Sequence, residues 1–179
     1  GTAEPIPDLA DVIGQTQARY ALELAAAGAH HLLFTGPPGV GKTMLAQRLP
    51  GLLPVLSDTE ALEVTAIHSV AGMLAEDTPL ITTPPFVAPH HTASVAALVG
   101  GGAGLARPGA VSRAHRGVLF LDEYAEIAPA VMEALRTPLE EGEVRLARVD
   151  GVARYPARFQ LILAANPCPC APPDPQKCI

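Results

Sequence analysis

The sequence predicts an α/β fold in three layers, a parallel β-sheet with helices on both faces. Three apolar runs of strand length carry that prediction: Leu32-Leu33-Phe34, Val118-Leu119-Phe120-Leu121, and Phe159 through Ala165. Near-continuous apolar runs of this kind are expected of strands buried on both faces. Each ends in residues able to bind anions or move protons: a glycine-rich loop after the first, Asp122-Glu123 after the second, Asn166 after the third. Ligands of open parallel sheets bind beyond the carboxyl ends of the strands, so the three tips should meet in one crevice.

Composition sets the bounds. The 179 residues are 49% hydrophobic, enough for one well-buried domain spanning 1–179. No run of about 18 apolar residues occurs and no signal-peptide pattern opens the chain, so a cytoplasmic protein without membrane association is expected. The 3 cysteines cluster near the end, which speaks against a disulfide framework and agrees with a reducing compartment. The net charge of −6 is uneven, with 3 Lys/Arg against 9 Asp/Glu in residues 1–106 and 9 against 9 in residues 107–179. Whatever is basic lies in the second half.

From the N-terminus, Pro5 to Ala10 read as an extended lead-in. A helical stretch then opens at Asp11-Val12-Ile13-Gly14-Gln15, with Ala18, Leu22 and Ala25 on one face and Gly28 at its end. This helix feeds the first strand, so Val12 and Ile13 either wall an adenine or serve as plain core. The loop Gly36-Pro37-Pro38-Gly39-Val40-Gly41-Lys42-Thr43 has the complete spacing G-x-x-x-x-G-K-[ST], with Met44 opening a helix behind it. Its glycines let backbone N–H groups converge on phosphate oxygens at a helix N-terminus. Lys42 then reaches the β- and γ-phosphates of a nucleotide, and Thr43 its magnesium.

Pro50-Gly51 and Pro54 break the chain, and Ser57-Asp58-Thr59-Glu60 is a capping box that starts a helix through about Val70, closed by Gly72. Prolines bracket Phe86-Val87-Ala88, a short strand expected at a sheet edge. His90 and His91 point apart on any regular element, so local hydrogen bonds or ligand contact are expected there rather than a shared metal. Thr92 to Val99 form a short helix. Gly100-Gly101-Gly102-Ala103-Gly104 reads as a mobile loop with a turn at Arg107-Pro108-Gly109-Ala110 and Arg113 on its returning limb.

At the second strand tip, Asp122 suits magnesium and Glu123 suits a general base that polarises water. Pro129 starts the next helix, Met132, Leu135 and Leu139 form its apolar face, Pro138 kinks it and Gly142 ends it. Glu143 to Pro156 is a hairpin whose Asp150-Gly151 turn would pair Leu146 with Tyr155 and Ala147 with Arg154. Arg145, Arg148 and Arg154 decorate it, either as phosphate contacts for nucleic acid or as a solvated face. Asn166 can hold a water or a phosphate oxygen without adding charge. Cys168, Cys170 and Cys178 offer three soft ligands, one short of a tetrahedral zinc site; free thiols are the alternative.

The phosphate loop, the Asp-Glu strand and the Asn-tipped strand, in this order, resemble the Walker A, Walker B and sensor 1 elements of AAA+ ATPases. With Asp11 to Gln15, Pro89-His90-His91-Thr92-Ala93-Ser94, Gly100 to Gly102, Arg107-Pro108-Gly109, Pro138-Leu139-Glu140 and Asn166-Pro167-Cys168-Pro169-Cys170, the chain is similar over nearly its whole length to the magnesium-chelatase-like branch, and within it to the ComM/YifB group. The resemblance implies a P-loop NTPase fold, ATP and Mg²⁺ as ligands, and a hexameric ring. It also implies that Gly100 to Ala110 is a helix-2 insertion and Glu143 to Pro156 a pre-sensor hairpin, both facing the pore. Arg107, Arg113, Arg145, Arg148 and Arg154 would then be the substrate-contacting residues. It further implies a preceding domain, an arginine finger, a second sensor and a C-terminal lid outside these 179 residues, and hence weak hydrolysis by this piece alone. The implied activity is ATP-driven DNA branch migration. Remodelling of a protein complex by a chelatase-type ATPase, or nucleotide binding without hydrolysis, are the alternatives.

Overall fold

The computed structural model describes residues 6–75, 77–101, 106–148 and 151–167. A 3₁₀ turn at Leu9–Asp11 precedes α1 (Thr16–Gly28), β1 (Leu32–Thr35), α2 (Lys42–Ala46), α3 (Leu49–Leu52) and α4 (Asp58–Val70). The chain continues through β2 (Phe86–Val87), α5 (Val95–Val99), β3 (Gly100–Gly101), β4 (Arg107–Pro108), α6 (Ala110–Arg113) and β5 (Val118–Leu121). A second 3₁₀ turn at Tyr124–Glu126, α7 (Pro129–Ala134), α8 (Arg136–Glu141), β6 (Glu143–Arg148), β7 (Gly151–Pro156) and β8 (Gln160–Ala165) complete it.

The main sheet is parallel throughout, in the order β1-β8-β5-β2. Because side chains alternate across a strand, the odd and even positions of β5 and β8 fill two different cores. Val118, Phe120, Ile162 and Ala164 pack with Leu22 of α1, Leu45 of α2 and Leu49 of α3. Leu119, Leu121 and Leu161 pack with Leu98 of α5, Val111 of α6, Val131 of α7 and Leu146 of β6. This is the expected three-layer arrangement, with the short strand β2 at the sheet edge.

The capping box is present in full: Ser57 Oγ accepts from Glu60 N and Glu60 Oε2 from Ser57 N. Gln160, a polar interruption in the third apolar run, is buried and satisfied, its Nε2 donating to the carbonyls of Ala25 and His30 and so fastening the end of α1 to β8.

Several local expectations are corrected. Pro50-Gly51 does not break the chain but lies inside α3, where proline in the first turn forfeits no helical hydrogen bond. The helix from Pro129 divides at Leu135, one turn ahead of Pro138, whose missing N–H and ring disrupt that turn. Leu139 is left 38% exposed, outside the core. In the hairpin Leu146 pairs with Ala153 and Ala147 with Val152, a two-residue shift from the expected register. A shift of two preserves the strand period, so Val144 and Leu146 still face the core, and Gly151, expected in the turn, pairs with Arg148 as a strand residue.

The glycine-rich loop also departs from expectation. Gly100 and Gly101 form β3, paired antiparallel with Arg107 and Pro108 of β4, so Arg107-Pro108 is a strand and not a turn. A Cβ on Gly100 would lie 2.6 Å from the Arg107 carbonyl oxygen, and one on Gly109 would lie 2.4 Å from the nitrogen of Gly100. These glycines permit close backbone approach, which sequence pattern alone does not distinguish from flexibility. Arg113, expected on a loop limb, belongs to α6. Residues 102–105 and 149–150 and Cys168, Cys170 and Cys178 lie outside the described residues, as does the side chain of Arg148.

Candidate functional site

The tips of β1, β5 and β8 converge because the strands are parallel and in register, with Thr35 beside Ala165 and Leu121 beside Leu163. Positive φ at Gly39 (79°) and Gly41 (88°) turns the phosphate loop tightly enough for α2 to start at Lys42. Lys42 Nζ donates to the carbonyls of Gly36 (2.5 Å) and Pro37 (3.1 Å) and to Asn166 Oδ1 (2.9 Å). An ammonium only donates, so the Asn166 oxygen faces Lys42 and its NH₂ group is turned the other way.

Thr43 Oγ1 lies 3.4 Å from Asp122 Oδ2, which links the loop to the tip of β5. Asp122 Oδ1 accepts the backbone N–H of Glu123 at 2.8 Å, holding Glu123 at a left-handed φ of 50° that costs energy in a non-glycine residue. The twist throws the Glu123 side chain towards the β2 tip, where its Oε2 lies 3.0 Å from His91 Nδ1. Against the expectation that they point apart, the His90 and His91 rings meet at a 32° tilt with centroids 4.2 Å apart, and His90 Nδ1 shares a hydrogen bond with Thr92 Oγ1. Two adjoining hollows follow. Pro38, Gly39, Gly41 to Met44, Asp122, Glu123 and Asn166 line one; Thr43, Pro89, His90, His91, Phe120, Asp122 and Glu123 line the other.

Lys42, Thr43, Asp122, Glu123 and Asn166 thus meet as the sequence predicts, together with the Gly36-to-Met44 loop. His91 is the member that sequence reasoning missed as a partner of Glu123; its position directly after an edge strand parallel to β5 was the available signal. Gln15 is a second, its Nε2 donating to the Val40 carbonyl at 2.8 Å from a left-handed backbone position. Val12 is buried in the core whereas Ile13 is 96% exposed.

Comparison with known proteins decides the family, since the model for "Magnesium chelatase, subunit ChlI" matches residues 8–179. The chain belongs to the ChlI family. It is 80% identical over 178 residues to an uncharacterised protein of Mycobacterium tuberculosis, covering 99% of this chain and 35% of that protein. It is 52% identical over 164 residues to the competence protein ComM of Haemophilus influenzae, covering 90% of this chain and 31% of that protein. The chain therefore spans about a third of the length of these curated relatives. Among solved structures, a complex of magnesium chelatase subunits BchI and BchD aligns with a TM-score of 0.68 at 26% identity, covering 92% of this chain and 56% of that one. The fold is that of an AAA+ ATPase-like domain of the ChlI type.

Within this ChlI domain the insertion and the hairpin are packed together. Tyr155 Oη donates to the Ala106 carbonyl at 3.0 Å, and a Cβ on Gly100 would meet Leu146 Cδ1 at 2.9 Å. Among the described residues the predicted substrate arginines sit on different elements. Arg107 is exposed and reaches the end of α4, its Nη1 3.8 Å from where a Cβ on Gly72 would stand. Arg113 is half-buried in α6, and its carbonyl is hydrogen-bonded by His68 Nε2 at 2.9 Å. Arg145 and Arg154 are exposed and directly opposed across β6 and β7. Arg145 is held by Glu143 (2.7 Å) and Glu141 (3.3 Å); its hydrogen bond lowers the Glu143 pKa, and that same bond, with the Glu141 charge, raises the Arg145 pKa.

Two further facts bear on ligands. Among the described residues no three His, Cys, Asp or Glu side chains are grouped to hold a metal ion. No described helix is long and apolar enough to cross a membrane.

Proposed function

We propose that residues 1–179 are the nucleotide-hydrolysing core of a longer, ring-forming AAA+ motor that remodels branched DNA, in the manner of the ComM group. The observation that supports hydrolysis is the single crevice joining Lys42, Thr43, Asp122, Glu123 and Asn166 at the strand tips. In this reading the backbone amides of Gly36 to Thr43 and the Lys42 ammonium bind the phosphates of ATP. Thr43 and Asp122, two oxygen donors joined by a 3.4 Å contact, fit a magnesium ion that would complete its shell with phosphate oxygens and water. When bound, that ion neutralises charge developing on the phosphates.

Glu123 takes a proton from the water whose oxygen attacks the γ-phosphorus, as the bond to the leaving ADP oxygen breaks. His91 orients the Glu123 carboxylate. Asn166, its oxygen turned to Lys42, offers its NH₂ donors to the water or to a γ-phosphate oxygen.

The DNA part of the reading rests on similarity to the ComM group and on the arginines of the two hairpins. Remodelling of a protein complex is the second reading, favoured by the pairing of Arg145 with Glu141 and Glu143, which leaves the hairpin less basic than its sequence. The test is the ATPase rate of the full-length protein with and without a synthetic four-way DNA junction across a salt series. Stimulation that fades with salt is the expected result. Healthy hydrolysis indifferent to DNA at every salt concentration would overturn the DNA reading in favour of the protein one.

A further inference from the structure

The hairpin carries two cations directly opposite each other, Arg145 on β6 and Arg154 on β7, an arrangement that is destabilising when nothing compensates it. Here it is compensated on one side only. Arg145 Nε donates to Glu143 Oε1 at 2.7 Å, and its Nη2 lies 3.3 Å from Glu141 Oε2, so one guanidinium faces two carboxylates. Glu141 is the last residue of α8 and Glu143 the first of β6, with Gly142 between them at φ 71°. The left-handed turn therefore brings both carboxylates to the root of the hairpin beside Arg145. Arg154 has no carboxylate within ion-pairing distance among the described residues, and Val152 and Ala147, both exposed, continue the same outer face beyond it.

Resting on the DNA-remodelling reading above, we propose that Glu141 and Glu143 mask Arg145, so that Arg154 is the hairpin cation offered to a DNA phosphate. Arg145 acts as a brace between α8 and β6. An external phosphate reaching Arg145 must displace two carboxylates already in contact, whereas Arg154 makes no such contact and feels the Glu143 charge only at longer range. The two residues look equivalent in sequence and differ in what they can give to a polyanion.

The experiment measures binding of the full-length protein to a synthetic four-way DNA junction by fluorescence anisotropy, from about 50 to 300 mM salt. Each phosphate neutralised contributes about 0.9 to the slope of log K against log salt. Arg154→Gln should flatten the slope by about 0.9 for every subunit in contact and weaken binding at low salt. Arg145→Gln should leave the slope unchanged. The double variant Glu141→Gln, Glu143→Gln should steepen it by releasing Arg145, a gain that a merely structural role for these residues does not produce.

Flattening by Arg145→Gln, or no steepening in the double variant, overturns the masking. Absence of DNA binding by the unsubstituted protein at every salt concentration overturns the functional reading beneath it, a result distinguishable from the first two. Circular dichroism of each variant separates a changed slope from a lost fold.

Discussion

His115 offers the sharpest test of the packing that carries the insertion. It is 1% exposed, its Nδ1 accepts the backbone N–H of Arg158 at 3.1 Å, and its Nε2 lies 3.0 Å from Glu63 Oε2. A nitrogen that accepts cannot also carry a proton, so the ring is the neutral Nε2–H tautomer and donates to Glu63. Replacing it by alanine removes two hydrogen bonds worth about 1 kcal/mol each and leaves the Arg158 N–H without that acceptor. It also opens a cavity of imidazole size, so the total should be roughly 3 to 4 kcal/mol. For a chain of this length that is a fall in Tm of roughly 10 °C.

The same geometry fixes a pH dependence. Burial, the largest cause, pushes the His115 pKa below its ordinary 6.5, and the His115 hydrogen bond, again the largest cause, pushes Glu63 below its ordinary 4.5. In both cases the unfolded chain takes up its proton first as the pH falls. The His115 contribution is therefore present above pH 6.5 and drains away below it, and that of Glu63 is present above pH 4.5 and drains below that. Urea unfolding of the parent and His115→Ala between about pH 3.5 and 8 measures both effects. A loss under about 1 kcal/mol, or identical pH profiles for the two proteins, would refute the reasoning.

Other expectations follow from the site and the scaffold. Glu123→Gln in the full-length protein should keep ATP affinity while lowering hydrolysis by roughly 10² to 10⁴, read by equilibrium nucleotide binding beside phosphate release. His91→Ala should lower turnover by less than Glu123→Gln does, and should add nothing when combined with it, because it acts only through that carboxylate. Gly100→Ala should destabilise by about 2 kcal/mol or more, since the residue sits at φ 104° and its Cβ would be 2.6 Å from the Arg107 carbonyl; thermal denaturation measures the loss. Ser57→Ala should cost about 1 kcal/mol by removing one half of the capping box, measured by urea unfolding.

The sequence was most legible where local chemistry and tertiary structure ask for the same residues. The apolar runs ending in Asp122-Glu123 and Asn166 could only be interior strands, and strand direction then fixed where their tips met. Ser57 and Glu60 announced a helix start through a bond made within four residues. Legibility failed where the reason for a residue lies far along the chain. Gly100 looked flexible because the backbone of Arg107 and Gly109, which demands its missing Cβ, is contributed by another segment. His91 looked undirected because Glu123 reaches it only through a left-handed twist at its own backbone. The hairpin register slipped by two because Asp150-Gly151 suggested a turn, while alternation alone could not tell the two registers apart.

The hydrogen bond from Tyr155 to Ala106 and the close passage of Gly100 beside Leu146 have a mechanical meaning. Two hairpins joined in this way share their stiffness, so a load applied to one is transmitted to the other before either bends by itself. Tyr155→Phe would remove the hydrogen bond and leave the packing of Gly100 beside Leu146, so it would loosen the coupling without abolishing it.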